Sequence, residues 1–209
     1  MTIQPTDTRT ALIEAALFCF SEHGYDGTSI RMIATRAGRP LSLISHHFGS
    51  KDGLYLEVFR SLFKPFSAPA RQDGLPDDRA EAVRQLREQV QMLYLELCPG
   101  PDNQCELKEA GRRLWFLEMR EPRPEVLELL QERFSPWVSR VRGLIRVLRP
   151  DLSEADITFL GTTILGQISG HGLIRGISTV LWGKNELTHA QSAELITHFT
   201  LQGLGLPSV

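Results

Sequence analysis

The sequence predicts an all-α protein in two parts: a small N-terminal helix-turn-helix domain and a larger C-terminal helical domain. Three observations carry this. Apolar residues recur at helical spacing along most of the chain. No set of alternating Val, Ile and Thr runs bounded by hairpin turns is present. The stretch "KPFSAPARQDGLPDD", with three prolines, a glycine and an acidic end, interrupts the helical pattern once. The expected organisation is an N-terminal helix-turn-helix domain with its connecting helix over residues 1–64, a connection over 65–78 and a C-terminal domain over 79–209. About nine helices are expected in all.

Taken in order, Ile13, Ala16, Leu17 and Phe20 lie at i, i+3, i+4 and i+7, one face of a first helix. Gly24 is a plausible stop. Thr28 or Ser29 can cap a second helix, whose Ile30, Ile33, Ala34 and Ala37 repeat the spacing. Gly38 ends it. Pro40 suits the first turn of a short third helix over 41–47, because its missing N–H would be unpaired there anyway. Ser50 caps a fourth helix, and Asp52 favours its positive N-terminal end. Five more are expected over 79–97, 103–120, 124–148, 153–182 and 188–204. Ser135–Pro136 should kink or break the third of these. Ser153 with Asp156 has the spacing of a capping box.

Composition narrows the function classes. The chain has 209 residues, a net charge of −2 and a pI near 6.3. It is therefore not coated in positive charge for non-specific nucleic-acid binding, although a local DNA-reading surface remains open. Cys19, Cys98 and Cys105 form no regular framework, and "MTIQPTDTRT" has no apolar signal region. Both point to the cytoplasm. The apolar span 159–182 contains Gln167, His171 and Arg175, each costly in a bilayer core, so no membrane helix is expected.

The segment "IATRAGRPLSLISHHFGSK" is two short helices with a tight glycine corner, the helix-turn-helix arrangement. Its second helix fits a DNA major groove while the first crosses the phosphate backbone. Ser42, Ser45 and His46 can form the polar outer face, with Ile44 and Phe48 turned inward. The start of the preceding helix offers backbone N–H groups, Ser29 and Arg31 to a phosphate. Over the first 64 residues seven basic residues face six acidic ones, so the motif carries the DNA reading and charge does not. Arg31, Arg39 and Lys51 could still steer DNA if they share a face. Arg36 and Arg60 are read as solvated.

The run "FSEHGYDGTSIRMIATRAGRPLSLISHHFGSKDGLY" resembles the N-terminal domain of the TetR family of bacterial transcription regulators. Gly24–Tyr25, the "TS" cap, "IA…AG" and "HFGSK" all fall at that family's spacing. "EMREPRPEVLELLQERFSPWVSRVR" and "GQISGHGLIRG" resemble the C-terminal domain of a CecR-like (YbiH-like) subgroup. The resemblance implies a homodimeric repressor that binds a two-fold-related operator in double-stranded DNA. It also implies release when a small organic molecule enters the C-terminal domain. The implied DNA-contacting set is Ser29, Arg31, Arg39, Pro40, Leu41, Ser42, Ser45, His46, His47 and Lys51. Residues 153–182 and 188–204 would pair with their copies in a second chain. Three positions depart from the family's pattern. Ser45 stands where a tyrosine is usual, Pro40 replaces a common serine cap, and Leu41 replaces a polar residue, where it could meet a thymine methyl. An effector-binding or protein-interaction module whose head no longer reads DNA is therefore the alternative.

Other chemistries find little support. His46 and His47 are adjacent, point about 100° apart on a helix and lack the spacing of metal ligands, so no metal or cofactor is expected. Gly166-x₃-Gly170 and Gly172-x₃-Gly176 follow no strand, which rejects a phosphate-cradling loop. These glycines are read as packing at a helix crossing or a dimer interface. No hydrolase elbow, zinc-protease or Cys-x-x-Cys motif occurs, so no enzyme is expected. Glu106, Glu109 and Glu118 are read as a solvated helix face, and Cys105 as an ordinary cysteine. An aromatic or amphipathic effector is expected among Trp115, Met119, Trp137, Gln167 and His171, since ligand sites in helical bundles form between facing helices.

Overall fold

The structure is a computed structural model that describes residues 7–62, 74–98 and 105–206. Among the described residues there are ten helices and no strand. They are α1 (Thr8–Gly27), α2 (Ile30–Ala37), α3 (Ser42–Phe48), α4 (Lys51–Leu62), α5 (Arg79–Leu97), α6 (Glu106–Arg120), α7 (Pro124–Leu148), α8 (Glu154–Leu173), α9 (Arg175–Trp182) and α10 (His189–Gly203). Most of the proposed connection over 65–78 lies outside the described residues.

Packing sorts the chain into two compact units: residues 1–66 with 105–133, and residues 67–104 with 134–209. In the first unit, Leu12, Ala16, Leu17 and Phe20 of α1 form a buried stripe. Ile33 of α2, Ile44 of α3, and Leu54, Val58 and Phe59 of α4 close on it. Ala110 and Leu114 of α6 complete the same core. The sequence expectation placed all of 79–209 together. The structure instead packs α6 against α1, because the stripe of α6 finds its apolar partner there.

The second unit is built on α5, α8, α9 and α10 with the later part of α7. Its core contains Leu86, Val90 and Leu93 of α5, Leu144 and Ile145 of α7, Ile168 of α8 and Leu201 of α10. Cys98 is also buried and its thiol donates to the Ile168 carbonyl at 3.2 Å. No helix among the described residues is long and apolar enough to cross a membrane.

The capping signals act where the sequence places them. Ser29 Oγ accepts from the Met32 N–H at 3.2 Å. Ser153 with Asp156 forms a complete capping box, and Thr188 with Gln191 forms a second. Replacing Ser153 with alanine is expected to destabilise the second unit by about 1 kcal/mol. Urea denaturation followed by circular dichroism measures this; an unchanged midpoint would show that the cap adds nothing.

One expectation holds and two change. Gly24 does interrupt α1: its φ of 69° and ψ of 177° are non-helical, and a short turn to Gly27 follows the kink. The single Thr28 hydroxyl proton is shared at that bend between the Gly24 carbonyl at 2.7 Å and the Cys19 carbonyl at 3.0 Å. Pro136 does not end α7, which is helical on both sides of it. The expected single helix over 153–182 is two, separated at Ile174, where φ is −90° and ψ is 6°. Gly170 and Gly172 just before the break lower helix stability, since glycine gains least from helix formation.

Candidate DNA-reading surface

The corner between α2 and α3 begins at Gly38, whose φ of 61° is left-handed and suits a residue without a Cβ. The N–H groups of Gly38 and Arg39 cap the end of α2 by donating to the Thr35 and Ala34 carbonyls, each at 3.1 Å. Pro40 precedes α3, and no side chain caps that helix. The Leu43 and Ile44 N–H groups instead close onto the Pro40 and Leu41 carbonyls at 3.1 and 3.0 Å. The departure from a serine cap is thus absorbed by a tight backbone turn.

Ile44 is buried and Phe48 half-buried against the core. Leu41, Ser42, Ser45, His46 and His47 are exposed, and so are Ser29, Arg31 and Pro40. Arg39 and Lys51 are half-buried. The structure therefore brings the ten candidate residues to the surface or its margin. The His46 and His47 rings meet nearly edge to face, with centres 5.0 Å apart. Among the described residues no three His, Cys, Asp or Glu side chains group in a way that could hold a metal ion.

Charge pairing separates the basic residues. Arg36 pairs with Glu22 at 3.1 Å, and Arg60 with Glu57 at 2.7 Å. Arg9 also pairs with Glu57, whose carboxyl is held low: partial burial opposes this, but the two guanidiniums outweigh it. Arg31 and Arg39 have no carboxylate partner among the described residues, and the Arg39 Nε is buried without an acceptor. Lys51 places its ammonium 4.0 Å from the centre of the Tyr25 ring.

Behind this surface lies a polar cluster that sequence reasoning missed. Glu118, read from sequence as solvated, is only 5% exposed. Its Oε2 accepts from the Tyr55 hydroxyl at 2.6 Å and its Oε1 from the Arg123 N–H at 2.7 Å. Burial, followed by the hydrogen bond to this carboxylate, pushes the Tyr55 phenol up. The Arg123 guanidinium lies 3.8 Å from the Tyr25 ring centre and 3.4 Å from Asp52. Tyr25 donates its hydroxyl to the same Asp52 carboxylate. Its phenol is pushed up to about 12 by burial first and by Asp52 second. The available signal was spacing: Ala110, Leu114 and Glu118 repeat every four residues, so Glu118 continues the buried stripe of α6.

The residues expected to bind an effector are divided between the two units. Trp115 is half-buried against the core of the first unit, and Met119 belongs to that unit too. Trp137 is a core residue of the second unit, 3% exposed, and donates its indole N–H to the Gln89 carbonyl at 3.3 Å. Gln167 and His171 do share a cleft in the second unit, of about 450 Å³, with Tyr94, Ser192, His198 and Phe199. Gln167 donates there to the Thr200 hydroxyl. Helical spacing and an aromatic or pliable side chain mark Trp115, Met119 and Trp137 as candidates, and core residues satisfy the same pattern equally well.

Comparison with known proteins agrees with this geometry. Residues 12–58 match the family model described as bacterial regulatory proteins, tetR family. Residues 104–204 match the C-terminal domain of the HTH-type transcriptional dual regulator CecR. The HTH-type transcriptional repressor AcnR of Corynebacterium glutamicum is 35% identical over 72 residues, 34% of this chain and 38% of AcnR. CecR of Shigella flexneri is 35% identical over 94 residues, 41% of this chain and 42% of CecR. The similarity to these relatives thus spans less than half of their length. The transcriptional regulator FadR of Bacillus subtilis, solved with stearoyl-CoA, superposes with a TM-score of 0.62 at 14% identity. That superposition covers 93% of this chain and 98% of FadR and speaks for the fold alone. With a helix-turn-helix domain matched at one end and a CecR-type domain at the other, the chain belongs to the TetR family of bacterial regulatory proteins.

Proposed function

We propose that the protein is a cytoplasmic, sequence-specific DNA-binding transcriptional regulator, a homodimeric repressor released from its operator by a small organic effector. One observation carries the DNA reading. The α2–α3 pair turns Ile44 into the core and leaves Ser42, Ser45 and His46 exposed, with Arg31 and Arg39 free of carboxylates among the described residues. Short polar side chains suit base edges in a major groove, and unpaired guanidiniums suit phosphates. Ser29, Pro40, Leu41, His47 and Lys51 border that surface.

The dimer rests on exposed apolar surface. Phe159 on α8 is 71% exposed, Trp182 on α9 88% and Phe199 on α10 70%. So much aromatic area facing water marks an interaction surface. Phe159, Gly166 and Gly170 fall on one stripe of α8, and a Cβ at either glycine would meet nothing within 4 Å among the described residues. A second copy laid along α8 and α10 would use both features. The effector reading rests on the cleft that holds Gln167 and His171, which is mostly apolar with several polar groups, as ligand sites are. A ligand that binds one conformation better would shift the population between two spacings of the reading heads.

Fluorescence anisotropy against duplex DNA from the upstream region of its own gene, with a shuffled duplex as control, tests the DNA reading. A preference of about 10³-fold that falls steeply with salt is the expected result. Equal, weak binding to both, and no sequence recovered from a random duplex pool, would overturn it. Light scattering at micromolar concentration should give twice the chain mass. Phe199→Glu should give the single mass, and a wild-type monomer would refute the dimer.

A further inference from the structure

Lys51 and Asp52, neighbours at the start of α4, both end at Tyr25. The Lys51 ammonium lies 4.0 Å from the ring centre, and the Asp52 carboxylate accepts from the hydroxyl. A carboxylate beside a phosphate-binding ammonium is a liability. It repels the incoming phosphate and competes for the cation. The Asp52 side chain is 62% exposed, so burial does not hide its charge.

The compensating charge comes from a residue 71 positions away in sequence. Arg123 places its guanidinium 3.4 Å from Asp52 and 3.8 Å from the Tyr25 ring centre. Its other end is fixed as well. The Arg123 N–H donates at 2.7 Å to Glu118, and Glu118 is tied to Tyr55 of α4 at 2.6 Å. Arg123 is thus held by a buried carboxylate behind it and by a tyrosine ring and an acid in front. Pro124, the next residue, opens α7, whose residues 124–133 count with the first unit and 134–148 with the second.

We propose that Arg123 is a positioning residue for DNA binding: it occupies the Asp52 carboxylate and so leaves Lys51 to a DNA phosphate. This rests on the DNA-reading function proposed above and on Lys51 as one of its phosphate contacts. A guanidinium suits the task, because it stays charged, stacks on an aromatic face and donates to a carboxylate in one pose. The residue lies in the segment matched to the C-terminal CecR domain, outside the matched helix-turn-helix region.

The test uses the full chain and a duplex that the wild-type protein selects from a random pool, titrated between 50 and 200 mM salt. Arg123→Met should weaken binding by about tenfold and flatten the plot of log affinity against log salt by about one unit, as for one lost phosphate contact. Lys51→Met should flatten it equally. Arg123→Met combined with Asp52→Asn should recover the wild-type slope, because the competing charge is gone. Melting curves and Asp52→Asn alone control for folding. A packing role for Arg123 would weaken binding without changing the slope and would not be rescued by Asp52→Asn. Either of those results, or wild-type binding by Arg123→Met, overturns the proposal. If Lys51→Met keeps the full slope, Lys51 is not a phosphate contact and the proposal falls with that reading. If Lys51→Met loses the slope and Arg123→Met does not, the DNA reading stands and only the role of Arg123 is refuted.

Discussion

Replacing Gly53 with alanine is expected to destabilise the first unit and to cut operator affinity by more than tenfold. Two effects oppose each other. Alanine gains about 0.8–1.0 kcal/mol over glycine in a helix interior, and Gly53 lies within α4. A Cβ at this position, however, would fall well inside contact with the Phe48 carbonyl oxygen. That oxygen is backbone, at the end of the reading helix, and it also accepts from the Ser50 N–H at 2.8 Å. A side chain could swing aside, but this carbonyl can yield only if the α3–α4 corner opens. Overpacking of this kind costs about 1–3 kcal/mol or more, which exceeds the propensity gain. Opening the corner would also tilt Ser42, Ser45 and His46 out of register with a groove. Thermal denaturation and anisotropy with the selected duplex measure the two effects. A higher melting temperature with unchanged DNA binding would show that the corner yields freely.

The second large effect is expected at Phe20. Its ring is fully buried, stacked with Tyr25 at 6.0 Å and edge-on to Tyr55 at 4.7 Å. Phe20→Ala removes a core aromatic and leaves a cavity, a change that costs about 3–5 kcal/mol. Small domains hold only about 5–15 kcal/mol in total, so this is a large share of the stability of the first unit. The rings lost from contact, Tyr25 and Tyr55, also carry the cluster of Asp52, Arg123 and Glu118. DNA binding should therefore weaken at temperatures where most of the protein is still folded. Urea unfolding followed by circular dichroism, beside binding at 15 and 37 °C, checks this. A shift in stability below about 1 kcal/mol would contradict the buried position of the ring.

Local structure was legible in the sequence because its causes lie a few residues apart. Ser29, the Ser153–Asp156 box and the glycine corner at Gly38 each act through a backbone group within three or four positions. The inward face of α1 followed from the spacing of Ile13, Ala16, Leu17 and Phe20, and Ile44 from its place in α3. Periodicity was less informative about function. Trp115 and Trp137 looked alike as candidate ligand contacts, yet one packs on the core of the first unit and the other fills the core of the second.

Partnership between distant segments was decided by the tertiary structure alone. An amphipathic stripe states that a helix needs an apolar neighbour but not which one, so the packing of α6 on α1 could not be read in advance. The same holds for Glu118. Its charge suggests water, and its burial is tolerable only because the Tyr55 hydroxyl and the Arg123 N–H converge on it. By itself the sequence determined an all-helical chain, its caps and the helix-turn-helix that identifies its family. Only the fold joined Tyr25, Asp52 and Tyr55 to Glu118 and Arg123, because hydrogen bonds and ion pairs between segments depend on where the core brings them, not on spacing along the chain.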